Sequence, residues 1–200
     1  MGFFSGSLNG HKLTITAGSE KTSQFRYICH PGDDNAVYFP SQDGDIGENS
    51  HTFYVFGGYT WKFRALGVLE DSIEYLDNSA TGSSAAGEAK PDLPTISVNS
   101  ATATSITFKY SLKGYHQLTI RLLNDNSTST TVTSGTSTTL NSLEAGSSYV
   151  VEYRFSAVWN GKTYYYPVNG YGTLEANTIG LSWKNKPADD TDGNNITFSW

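Results

Sequence analysis

The sequence predicts an all-β protein built as tandem β-sandwiches, closed by a C-terminal β-hairpin or partial domain. Three observations predict it. Apolar residues recur with period two in segment after segment, and no useful window carries the helical period. Aromatic residues are abundant (14%, including 13 Tyr) while charged residues are few (16%), which suits a pleated, half-buried surface. Twenty Gly and frequent Ser and Thr supply the turns that short strands require.

The strands read in order. "HKLTIT", "TSQFRYIC", "NAVYF", "HTFYVF", "YTWKFRAL" and "SIEYL" fill a first unit over residues 1–80. "DNSATGSSAAGEAKPDLP" (77–94) is rich in Ser, Ala and Gly and ends in two prolines, so its central part, 81–93, is expected to be a linker. Alternation resumes over 94–176 with "TISV", "SITFKYS", "LTIRLL", "TTVT", "STTLNSL", "YVVEYRFSAVW" and "KTYYYPV". Residues 177–200 stand apart. "TIGLSW" and "ITFSW" alternate and each ends in Trp, with a polar loop between them.

"TTLNSLEAGSSYVVEYRF" carries the most information about the second unit. Leu140 and Leu143 point to a core, Gly146 turns the chain, and Tyr149 follows three residues later at the start of a strand. That spacing lets the Tyr149 hydroxyl reach back to the backbone of the corner before it, a feature of Greek-key sandwiches. Val151, Tyr153 and Phe155 then face one way, and Val150, Glu152 and Arg154 the other. On these residues, Pro91 to Ala176 resembles a fibronectin type III domain. "LPTISVNSATATSITFKYS" is similar to the family's first two strands and "HQLTIRLLND" to the third. Ala145 stands where the family often has proline, and Tyr110 where it usually has tryptophan. The resemblance implies a sandwich fold and a binding or spacer role, with Leu143, Gly146 and Tyr149 as structural residues.

In the first unit, "SHTFYVFGGYTWKFRALG" repeats the order of strand, glycine turn, aromatic and alternation. Tyr59 is expected in the part of Tyr149, with Trp61 and Phe63 on the same side. An immunoglobulin-like sandwich and another small β fold both fit. In the tail, "NTIGLSWKNKP" resembles the second strand of a further type III domain, with Trp183 at the family's tryptophan position. Ile179, Leu181 and Trp183 share one strand face, as do Ile196, Phe198 and Trp200. Such faces must dock, either on the chain's own second unit or, as favoured here, on a neighbouring chain.

Much chemistry is disfavoured. A net charge of −6 opposes nucleic-acid binding and docking on an anionic membrane. The start "MGFFSGSLNGHK" shows neither a signal peptide nor a span, so no membrane insertion is expected. A single cysteine, Cys29, excludes an intrachain disulfide and reads as a buried small residue. His11, His30, His51 and His116 have no metal-ligand spacing. Asp43, Asp45 and Glu48, or Asp190 and Asp192, offer oxygens for calcium, but neither run completes the calcium-loop pattern, and Asp and Asn with Gly are ordinary turn residues. No nucleophile motif, phosphate loop or facing carboxylate pair appears. No enzyme activity, cofactor or metal is expected. "YYYP" (164–167) and "FYVFGGYTWKF" read as packing or protein interface in preference to a sugar platform.

These readings point to a structural or interaction protein of an assembly, foremost a bacteriophage virion, where immunoglobulin-like domains commonly decorate heads and tails. Its partners would be other virion or surface-assembly subunits, including copies of itself. The alternative is an extracellular bacterial module that binds a glycan or mediates adhesion.

Overall fold

The computed structural model describes residues 4–17, 24–32, 50–68, 75–76, 87–123 and 128–180. All its regular elements among these are strands. In the first unit, β1 (Phe4–Asn9), β2 (Lys12–Ala17) and β4 (Ser50–Tyr54) form one antiparallel sheet in the order β1-β2-β4. β3 (Gln24–Pro31) and β5 (Trp61–Val68) form the other. The second edge of β5 is shared. β6 (Tyr75–Leu76) takes its C-terminal end and β7 (Gly87–Ala89) its N-terminal end. Leu13, Ile15, Phe53 and Val55 from one side and Cys29 and Trp61 from the other fill the space between. Alternation is the cause, since Lys12 and Thr16 on the same strand stay exposed.

The second unit repeats this plan. β8 (Thr95–Ala101), β9 (Ile106–Ser111) and β12 (Ser137–Leu140) make one sheet, with β9 central. β10 (Gln117–Leu122) and β13 (Ser148–Trp159) make the other, with β11 (Ser129–Val132) added at the β10 edge. Two strands again share the second edge of the long strand. β14 (Lys162–Tyr166) pairs with the C-terminal half of β13 and β15 (Gly172–Asn177) with its N-terminal half. Even the outer faces correspond: a Thr14–Thr52 hydroxyl pair at 2.8 Å crosses from β2 to β4, and Thr107–Thr139 at 2.9 Å from β9 to β12. The chain is therefore all-β, with two sandwiches of one strand order. Of the two folds that the sequence allowed for the first unit, the sandwich is present.

The expected corner of the second unit is formed. The Glu144 amide donates to the Tyr149 hydroxyl at 2.9 Å, Tyr149 and Leu143 are buried, and Gly146 turns at φ +66°. Tyr110, at the family's tryptophan position, is buried and donates to the Ser134 carbonyl at 2.6 Å.

Two expectations are corrected. Tyr59 does not play the part of Tyr149. Trp61 does, because its indole N–H reaches back five residues to the Phe56 carbonyl at 2.8 Å. Gly58, at φ +91°, stands three residues before Trp61, as Gly146 stands three before Tyr149. The described part of the expected linker, residues 87–93, is also built in. Gly87–Ala89 is strand β7, paired with Trp61–Phe63. Ala89, Pro91 and Pro94 are buried, and the Asp92 amide donates to the Gly10 carbonyl at 3.2 Å. Small residues suit this edge because ladder bonds need only backbone.

Candidate functional site: an aromatic seam between the units

The seam is built from one loop of the first unit and from a turn and a hairpin at one end of the second. Phe56 and Tyr59 lie in the loop that leads to β5, and Phe53 and Trp61 end the flanking strands. Opposite them, Leu112–Tyr115 makes a tight turn closed by a Tyr115 N–H bond to the Leu112 carbonyl at 2.9 Å. Lys113 and Gly114 both take positive φ there. The second contribution is the β13–β14 hairpin. Its turn, Asn160–Gly161, also has positive φ at both residues, the Asn-Gly signature of a two-residue hairpin. The turn places Trp159 and Tyr164 against the first unit.

The rings interlock. Trp61 meets Trp159 edge-on at 4.7 Å between centroids, and Phe56 lies 5.0 Å from Tyr115 and 5.5 Å from Tyr164. Tyr59 meets Tyr164 at 5.3 Å. Two tyrosine hydroxyls are satisfied across the seam, while the buried Trp159 indole N–H has no hydrogen-bond partner. The Tyr115 hydroxyl donates to the Gly57 carbonyl at 2.6 Å. The Tyr59 hydroxyl donates to the Tyr165 carbonyl at 2.9 Å and accepts from the Tyr165 amide at 3.2 Å. Lys113 and Asp92 add an exposed ion pair at 3.1 Å, which contributes little by itself. Burial, then the nearby Tyr59 and Tyr166 hydroxyls, push the Tyr115 phenol well up. One hydrophobic cluster runs through both units. Each sandwich thus presents an aromatic end to the other, with hydrogen bonds from Tyr59 and Tyr115 crossing between them.

The run 164–166 splits between faces as a strand must. Tyr164 and Tyr166 turn to the seam, and Tyr165 lies on the outer face under Arg154 at 3.6 Å. Cys29 is a buried core residue, and burial pushes its thiol up. The described histidines are scattered over the β1–β2 turn, β3, β4 and the approach to β10, and no group of three metal-ligating side chains occurs among the described residues. Of the tail, Thr178 is buried and Ile179 exposed. Thr178 Oγ1 donates to the Glu144 carbonyl at 2.6 Å, and the Ile179 amide donates to Thr102 at 2.9 Å. Leu181, Trp183, Ile196, Phe198 and Trp200 lie outside the described residues, as do the acidic runs around Asp43 and Asp190.

In the sequence both aromatic runs read as packing or protein interface but are not brought together as one seam. The signal was present in its two positive-φ turns, "LKGY" and "WNGK", each followed or preceded by aromatics.

No protein family and no curated protein matches this chain. Solved structures that align with it include the central fibronectin-III array of RIM-binding protein, at 9% identity and TM-score 0.38, over 94% of this chain and 71% of that one. A two-domain fibronectin type III segment from chicken tenascin aligns at 13% identity and TM-score 0.36, over 88% of this chain and 98% of that one. The assignment of a tandem sandwich rests on the strand order and corners described above.

Proposed function

We propose that this chain is a non-catalytic structural and interaction protein, a component of a bacteriophage virion that acts as a stiff two-sandwich spacer. The aromatic seam carries the reading. A flexible tether would need no ring-to-ring contact and no buried hydroxyls between its units, whereas a part that must hold a fixed length and angle does. The tail supplies the attachment. Its alternating faces, Ile179, Leu181 and Trp183, then Ile196, Phe198 and Trp200, fit strand addition to a neighbouring subunit.

The test compares the full chain with one ending at Gly180, which keeps the Thr178 and Ile179 bonds to the second unit. Light scattering should find a self-associating full chain and a folded, monomeric truncation, and labelled full chain alone should attach to phage particles from the source culture. A full chain that stays monomeric and attaches to no particle would overturn the assembly reading. The second reading, an extracellular glycan-binding or adhesion module, is favoured by one observation: Tyr171 is 40% exposed on the outer sheet face beside two arginines.

A further inference from the structure

The outer face of the β10–β13–β14 sheet holds two arginines in different states. Arg121 is committed, because it pairs with Glu152 directly across the β10–β13 ladder and lies 4.3 Å from the centre of the Tyr171 ring. Arg154 is not. Its guanidinium lies 3.6 Å over the Tyr165 ring and 5.2 Å from Tyr171. It has no ion pair among the described residues, and its Nε is buried without a hydrogen-bond partner. A guanidinium fixed by stacking, with no carboxylate partner among the described residues, is organised in advance for a planar oxyanion. The side chains next to it are short. Thr119 stands opposite Arg154 in the ladder and Ser156 opposite Tyr165. They leave the cation and rings accessible and offer hydroxyls of their own.

We infer that Arg154, Tyr165 and Tyr171 form a binding site for the carboxylate of an acidic polysaccharide, a uronic-acid polymer. The carboxylate takes the Arg154 Nη donors, and a sugar ring lies along the exposed edge of Tyr171. The observations favour a sugar over an acidic protein segment. The groups around Arg154 are the hydroxyls of Thr119 and Ser156 and the rings of Tyr165 and Tyr171, which match the hydroxyls and the ring of a sugar. The inference does not depend on the virion reading and concerns the opposite side of β14 from the seam.

Titration calorimetry of the full chain with oligogalacturonate, its methyl ester and poly-glutamate tests it. Oligogalacturonate should bind and weaken as salt rises, while the neutral ester should not bind. Arg154→Lys keeps the charge but loses the planar fork, and should weaken binding about tenfold or more, the scale of a charged hydrogen bond. Tyr171→Ala should weaken it also, which keeps the test open should the Arg154 variant fail to fold. The melting temperature of each folded variant should match the parent's. Absence of oligogalacturonate binding, equal binding of the ester or of poly-glutamate, or unchanged affinity in Arg154→Lys would each overturn the inference.

Discussion

Trp159 belongs to the second sandwich by strand but touches the first by contact, so its removal should uncouple the two. It is buried, with Trp61 at 4.7 Å and Phe53 at 6.4 Å. Truncating such a residue costs about 3–5 kcal/mol through lost transfer and an unfilled cavity. For a chain of this length each kcal/mol moves the melting temperature by about 2–4 °C, so Trp159→Ala should fall by about 6–20 °C. Its indole N–H has no hydrogen-bond partner. Trp159→Phe therefore breaks no such bond and should cost only about 1 kcal/mol, the scale of an aromatic pair. Scanning calorimetry reads both numbers and the cooperativity. The parent should melt in one transition and Trp159→Ala in two, as the sandwiches separate. An alanine variant within about 2 °C of the parent, or a phenylalanine variant as damaged as the alanine one, would refute the reasoning.

Tyr149→Phe should cost about 1 kcal/mol by denaturant unfolding, because it deletes the hydroxyl that the Glu144 amide donates to. Gly58→Ala should cost about 1–3 kcal/mol, measured the same way, since φ is +91° and a Cβ there would stand 2.8 Å from the Tyr166 ring. Alkali should destabilise the fold. Cys29 and Tyr115 are held above their ordinary values of 9.0 and 10.0 by burial. Unfolding therefore releases protons above those values, and the stability present below about pH 9 is lost as pH rises. A melting temperature flat to about pH 10.5 would contradict this. For the same reason iodoacetamide at about pH 8 should leave Cys29 unmodified in the folded chain, as mass spectrometry can check.

The parts legible in the sequence were those that side chains encode. β9, β10 and β13 alternate strongly, and the Leu143–Gly146–Tyr149 spacing announced its corner. The same spacing rule, applied from Gly58, points to Trp61. Tyr59 is the more obvious candidate because a hydroxyl is a ready partner for backbone, although an indole N–H serves as well. β1, β7 and β15 escaped for another reason. "FSGSLN", "GEA" and "GTLEAN" are small and polar, and they are held by backbone ladders that leave no mark on composition. The seam was hidden because its two halves lie far apart in the chain, and only the fold brings them together.

That separation has a consequence for the birth of the chain. Tyr59 and its partner Tyr165 are 106 residues apart. At about 5–20 residues per second, the ribosome needs about 5–20 s to make the stretch between them. Through that interval the nascent first sandwich holds Phe56, Tyr59 and Trp61 at an end that still lacks the β13–β14 hairpin. A sticky aromatic surface left open for seconds is an invitation to chaperones, and to the same surface on a neighbouring nascent chain.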